Sequence, residues 1–409
     1  MGNTGAGKKD LYYLASQNLI RMNPERRIDW RTIIALNAVS VLSQFGQFGI
    51  GIVVLPLWLA QHGLNAAQLG GFASAEWLGM LMGLAVAPRL NSQLGHRIVI
   101  AIGLLVSIIG FAVIPNSSWP IWLPAAALIG LGMGLRWIGL EPWLYRIAPS
   151  NARGRLVGFH ETLLGLAPII TPILTEWAGI DGSALFELGI AFACSALLPL
   201  LIARPPLDES AESPASSTQG SPLVRNNMLA LGVIVAVIAG ITEASFSALF
   251  PIFGAGRSLS TEQMATLLSV FGVGGLLLQY LTGWLADHRG LAFATLVCAA
   301  STVLFAVIAA LPLGFIGFAI TIFALGGTIT AFLTLSIIAA TSAGNGDLSV
   351  SVRRVSMAYT ASSIFGPLIA GVAMKSLGSE ALIWHVGVLA AILCGYLLLQ
   401  GRSEHGVVG

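Results

Sequence analysis

The sequence predicts an all-α membrane protein of twelve transmembrane helices in two six-helix bundles. Three observations carry that prediction. Apolar residues make up 56% of the 409 and charged residues only 9%, with mean hydropathy +0.85, whereas a soluble domain is about a quarter charged. Twelve separate apolar runs are each of a length to cross a hydrocarbon core about 30 Å thick, which takes roughly 20 residues. Lys and Arg gather in alternate loops, as retention of basic residues on one side of a membrane demands. A soluble chain of this length would divide into domains with polar outer faces, and the polar side chains to cover them are missing.

In chain order the first six runs are Ile33 to Leu59, Leu69 to Ala87, Ile98 to Ile114, Ile121 to Leu144, Leu156 to Trp177 and Ala184 to Ala203. The second six are Met228 to Phe253, Met264 to Ala286, Leu291 to Ala310, Phe315 to Ala339, Val355 to Met374 and Ala381 to Leu399. Residues 1–31 form a polar cytoplasmic segment, 32–203 and 228–400 the two bundles, and 401–409 a cytoplasmic tail. Between the bundles, residues 204–227 are rich in Pro, Ser and acidic side chains and read as a flexible cytoplasmic linker.

With both termini in the cytoplasm, Arg89, Arg97, Arg153, Arg155, Arg289, Arg353 and Arg354 all fall in inward loops. Only Arg257 and Lys375 fall outside, and Arg136 lies within a span. An odd number of spans would scramble that alternation. Trp58, Trp119, Trp122, Trp177 and Trp384 stand near predicted outer ends, where an interfacial aromatic belt belongs. The halves echo each other: Gly95 and Gly290 follow spans two and eight, and Pro168 and Pro367 sit inside spans five and eleven. Such spacing points to a duplicated six-helix unit, a plan that places a solute site between the halves.

Other chemistries find little footing. A net charge of +2 indicates no nucleic-acid partner. Cys194, Cys298 and Cys394 lie in separate apolar runs without metal-ligand or disulfide spacing. The stretch Gly2 to Lys9 imitates a phosphate-binding loop, but Lys9 occupies the Ser or Thr position and no strand precedes it. Ala6 likewise spoils a myristoylation start, and the polar opening argues against a cleaved signal peptide. No cofactor, metal or catalytic triad is expected, and the chain reads as a monomer that is not an enzyme.

Ionisable side chains deep in a span cost at least about 2.5 kcal/mol on insertion scales, so they face protein or a watery cavity. The buried set is Glu76 in span two, Arg136 and Glu141 in span four, His160 and Glu161 in span five, and Glu243 in span seven. Carboxylates outnumber the one obligatory cation, so the surplus must bind protons, meet a cationic solute or reach water. Arg136 paired with Glu76 or Glu161 serves either transport or helix-to-helix adhesion. Glu243 lies mid-span with no basic residue at similar depth in the second half, which favours a proton or solute role. Asn37, Ser40, Gln44 and Gln47 recur at helical steps and form a polar stripe on span one, for solute contact or interhelical bonding. Thr328, Thr330, Thr334, Ser336, Tyr359 and Thr360 are weaker candidates, His160 and His385 read as packing residues, and Gly79, Gly83, Gly130 and Gly134 read as close-packing sites.

The run Gly283-Trp-Leu-Ala-Asp287-His-Arg-Gly290 between spans eight and nine resembles the loop signature of the major facilitator superfamily, and the resemblance covers nearly the whole chain. It implies that family's fold and secondary active transport by alternating access, with Gly283, Asp287 and Gly290 in a cytoplasmic latch. Asp287 is expected to cap span nine and pair with a neighbouring base, and Glu141 and Glu161 to join the latch through Arg146 or Arg155. The first-half copy carries Ser92 at the acidic position. Leu140-Glu141-Pro142-Trp143-Leu144 and Leu278-Gln279-Tyr280 resemble a bacterial branch of YcaD-like permeases. The expectation is thus a multi-pass protein of a bacterial inner membrane whose partners are lipid, protons and a small solute. Proton-coupled antiport, with efflux of an amphipathic or cationic compound, fits the carboxylates beside Trp77 and Trp137; uptake of a polar metabolite fits the amide stripe. A receptor or assembly factor that moves nothing is a third reading.

Overall fold

In the computed structural model, which describes residues 29–149, 153–179, 182–204, 222–342 and 348–405, the described chain is helical throughout, with no strand. Among the described residues, twelve helices are long and apolar enough to cross a membrane. They run Trp30–Gln61, Ala66–Leu94, His96–Asn116, Trp122–Ile147, Arg155–Ala178 and Ala184–Ile202, then Met228–Gly256, Thr261–Arg289, Leu291–Ala309, Phe315–Ser342, Ser351–Leu377 and Ala381–Gln400. Each predicted run is therefore a span. Several helices outlast their apolar runs, because the backbone ladder continues into polar turns once a cap closes it. Span seven's helix starts at Pro222, inside the predicted linker, and span twelve's continues to His405, inside the predicted tail. The segment before residue 29 and the central part of the linker lie outside the described residues.

Spans two and eight repeat each other closely. Both helices have 29 residues, open on a capping box (Asn65 with Gln68, Ser260 with Gln263), and close on a positive-φ glycine (Gly95 at φ 81°, Gly290 at φ 85°). Close backbone approaches repeat too. In the first half, Gly79 meets the Ala127 carbonyl and Gly130 the Glu76 carbonyl; in the second, Gly274 meets that of Phe323 and Gly326 that of Phe271. A Cβ at any of these would collide with backbone, so spans two and four, and eight and ten, pack at the distance only glycine allows.

Two spans are irregular. Span one begins as α-helix to Gln44, capped by Asp29, whose carboxylate accepts from the Thr32 amide at 3.1 Å and hydroxyl at 2.7 Å. From Phe45 to Val54 it widens into π-helix and then returns to α-helix over Leu55–Gln61. Three glycines in the widened stretch lie against other spans: Gly46 against Gly189, Gly49 against Thr171, Gly51 against Glu76. Span five is interrupted between Gly165 and Ala167, where Pro168 has no amide hydrogen to continue the ladder.

The core is unequal from end to end. At the end away from Gly95 and Gly290, one apolar cluster joins both halves, with Leu57, Trp58, Leu69 and Phe72 packed in common with Phe246, Phe250, Leu267 and Phe271. Trp58 and Trp122 are buried there, ring to ring at 5.6 Å, and so are core residues and not the interfacial anchors expected. Trp177 and Trp384 do face outward. A second cluster also joins the halves, with Ile52, Trp77, Met80 and Met133 packed in common with Val235, Leu335 and Tyr359, whereas the cluster around Ile33, Leu140 and Trp143 at the basic end belongs to the first half alone.

Candidate functional site

A cavity of about 360 Å³ lies between the halves. Spans one, four and five line it from one side, and seven, eight and ten from the other. Its polar wall holds Gln44, Arg136, Glu141, Glu161 and Glu243; its aromatic wall holds Phe48, Trp137, Phe271 and Tyr280. Glu161, Thr162 and Tyr280 are exposed and mark a mouth toward the basic end. The opposite end is shut: Ser74 donates to the Ile364 carbonyl at 2.6 Å, Gln61 to the Thr261 hydroxyl at 2.6 Å, and Gly70 and Gly371 lie against the backbones of Pro367 and Ala66.

Arg136 is 1% exposed. Its Nε donates to Gln47 Oε1 at 2.7 Å and its Nη2 to Gln44 Oε1 at 2.9 Å, so the guanidinium is held by two neutral amides of span one and not by Glu76 or Glu161 as the sequence led us to expect. The Gln47 amide nitrogen donates to Ser107 Oγ at 2.7 Å, which donates to the Ile129 carbonyl at 3.2 Å. That chain fixes the Gln47 oxygen toward Arg136. Higher on the same stripe, Asn37 donates to the Ile33 carbonyl at 2.9 Å, which turns its Oδ1 toward His160 Nδ1 at 2.9 Å. The Nδ1 of His160 therefore carries the proton, and Nε2 faces Ser40 Oγ at 3.4 Å.

The carboxylates separate into two kinds of place. Glu243 lines the cavity and accepts from the Tyr359 hydroxyl at 3.0 Å; Glu161 lines the mouth and accepts from the Tyr145 hydroxyl at 2.9 Å. Glu141, His160 and Glu161 each bring one donor atom within 4.8 Å of the others, the one place among the described residues where three such groups converge to hold a proton or a metal ion. Glu76 is 2% exposed and lies off the cavity against Gly51, and its Oε1 has no hydrogen-bond partner among the described residues. Trp77 packs edge-on to Tyr359 at 5.8 Å and is core, while Trp137 reaches the cavity.

At the basic end, Asp287 is exposed within the last turn of span eight. Gly290, with no side-chain cap, is the N-cap of span nine, so the expected Asp287 cap is not formed. A Cβ on Gly283 would meet open space. Among the described residues the one ion pair within 4.0 Å is Arg257 with Glu380 at the shut end, bidentate at 2.9 Å for both bonds. Tyr145, Tyr280, Phe48 and Phe271 contribute to the site although sequence reasoning did not select them for it. An aromatic within an apolar span carries no signal until its neighbours are known.

Twelve spans around a central cavity that is sealed at one end and open at the other define a secondary transporter. The chain belongs to the major facilitator superfamily, whose family model, described as Major Facilitator Superfamily, matches residues 36–350. An uncharacterized MFS-type transporter of Enterobacter sp. (strain 638) is 24% identical over 358 residues, covering 86% of this chain and 91% of that one. The uncharacterized MFS-type transporter YcaD of Escherichia coli O17:K52:H18 is 25% identical over 241 residues, 58% of this chain and 62% of that one. In structure, the nucleoside transporter NupG superposes with TM-score 0.75 at 13% identity, covering 90% of this chain and 99% of that one. A D-xylose-proton symporter gives 0.70 at 13%, covering 90% and 97%. These two likenesses show the shared fold. The protein is a multi-pass membrane transporter of small molecules, and its family is not one of enzymes.

Proposed function

We propose that the chain exports a small amphipathic or cationic compound in exchange for protons. The carrying observation is the charge of the cavity: Glu141, Glu161 and Glu243 line it with one cation, Arg136, beside an aromatic wall. A carboxylate in a water-poor cavity needs a proton or a cation, and those two ligands exclude each other at one site, which is the logic of antiport. Glu243 is the central exchange site. Glu76, buried outside the cavity, senses protons without touching the solute, and Asn37, Gln44 and Gln47 position the charged groups. The basic end, with both termini, faces the cytoplasm of a bacterial inner membrane, so the cavity here is open inward. Asp287, Gly283 and Gly290 form the latch of the other state; the exposed carboxylate and the open space at Gly283 fit a latch that is apart. Residues 32–203 and 228–400 move as two bodies about the 204–227 linker, in a monomer.

Reconstituted protein tests the reading. With a pH gradient imposed across proteoliposomes, Glu243→Gln abolishes proton-driven transport; full transport by that variant removes the central residue. Gln44 and Thr330 in the wall favour a second reading, uptake of a polar metabolite. The gradient that drives accumulation separates the two, since export by exchange and uptake by symport need opposite orientations.

A further inference from the structure

The protein treats two of its arginines, Arg257 at the shut end and Arg136 within span four, differently. Arg257 gives both arms of its fork to one carboxylate, Glu380, and its charge is neutralised where it sits. Arg136 is more deeply buried and is offered two amide oxygens, which fix the guanidinium without cancelling it. The Gln47 amide cannot turn around, since its nitrogen is committed to Ser107. A guanidinium carries five N–H donors. Among the described residues the two Nη1 hydrogens and the second Nη2 hydrogen have no acceptor, and Arg136 lines the cavity. Glu141, on the same helix nearer the mouth, lines the same cavity and is, among the described residues, the one charged side chain whose field acts on Arg136, but it makes neither a hydrogen bond nor a close ion pair with it, so the remaining guanidinium donors stay open.

A buried charge held by neutral groups is an oriented charge in reserve. Guanidinium donors that fork toward a cavity match a carboxylate in two-point geometry. We infer that Arg136 is an anion subsite, and that the transported solute is amphoteric, with a carboxylate for Arg136, a basic nitrogen for Glu243 and an aromatic or alkyl body between them. Phe48, Trp137 and Phe271 supply the apolar wall for that body. A cavity of about 360 Å³ suits one small solute. The inference rests on the reading of this cavity as the transport site and narrows it, because a cation alone would leave the remaining Arg136 donors without an acceptor.

A matched set of three probes tests it: tryptophan, tryptamine without the carboxylate, and indole-3-propionate without the amine. Equilibrium binding is measured to the full chain in lipid nanodiscs, with folding checked by thermal unfolding. Tryptophan is expected to bind at least about ten-fold more tightly than either analogue, the smallest gain a charge-assisted fork should give. Arg136→Gln removes the subsite. Gln47→Glu retains Arg136 but supplies a carboxylate from span one and neutralises it in place. Each should reduce tryptophan to the level of tryptamine and leave tryptamine unweakened. A purely adhesive Arg136 predicts instead that Gln47→Glu stabilises the fold and spares tryptophan binding, which would overturn the inference. Tryptamine binding as tightly as tryptophan in the wild type also overturns it, and leaves the cation-export reading standing if Glu243→Gln weakens tryptamine. Failure of all three probes to bind overturns both.

Discussion

Replacing Gln47 with Met keeps the length of the side chain while removing the oxygen that receives Arg136 Nε at 2.7 Å and the nitrogen that reaches Ser107 at 2.7 Å. Hydrogen bonds to a charged group are worth about 1.5–3 kcal/mol, and leaving such a group buried without a partner costs at least that much. Interhelical polar contacts in membranes average only about 0.6 kcal/mol, because the unfolded chain in lipid also finds partners. Gln47 is fully buried and its oxygen is fixed by the Ser107 chain, so the Arg136 contact belongs to the stronger class. The measurement is a double-mutant cycle over Gln47→Met, Arg136→Met and the pair, read from unfolding in mixed micelles. A coupling of about 1.5 kcal/mol or more is expected, with the double variant less damaged than the sum of the singles. Additivity within about 0.5 kcal/mol would refute the claim that the amide holds the guanidinium.

Gly130→Val drives a branched side chain into the Glu76 carbonyl, and should cost about 1–3 kcal/mol or more in thermal unfolding, whereas Gly283→Ala, opening onto free space, should leave stability unchanged. Arg257→Ala breaks a half-exposed bidentate pair and should cost roughly 1 kcal/mol, less at high salt, in the same assay. Asp29→Ala should weaken the start of span one by about 1 kcal/mol. The Thr32 bonds hold the Asp29 carboxyl below its usual range; its contribution is therefore complete above the unfolded value near 4 and fades as pH falls through the lower folded one, so the wild-type advantage over Asp29→Ala should vanish in acid.

Much of the fold is legible because lipid makes hydropathy nearly decisive: a run of twenty apolar residues has few other places to go. The repeat was visible in Gly95 and Gly290, and the structure adds that Asn65 with Gln68 and Ser260 with Gln263 mark it as well. Those capping pairs were readable in the sequence and would have set the starts of spans two and eight. The site was legible by composition but not by pairing. A three- and four-residue stripe fixes which face of span one is polar, yet it cannot say that Gln44 and Gln47 meet Arg136 while Asn37 meets His160. That depends on the depth at which spans one, four and five cross, and on the π-helical widening after Gln44, which turns every later residue onto a different face. Local sequence gives its glycines but not its geometry.

How the bonds are distributed bears on how such a protein can move. Arg136 with Gln44 and Gln47 lies wholly among the first six spans, as does Tyr145 with Glu161; Arg257 with Glu380 and Tyr359 with Glu243 lie wholly among the last six. Among the described residues, the hydrogen bonds that join the two sets, Ser74 to Ile364 and Gln61 to Thr261, are neutral. The rest of the seal is apolar contact and the backbone approach of Gly70 and Gly371. Charge-assisted bonds thus bind each set internally, and weaker bonds hold the sets together. Separating the seal exposes no uncompensated charge, whereas deforming either set would break a charged bond. Rocking of two stiff halves is therefore the cheapest large motion open to this chain, and it is the motion that would switch access to Arg136 and Glu243 from one face of the membrane to the other while the site itself stays in place.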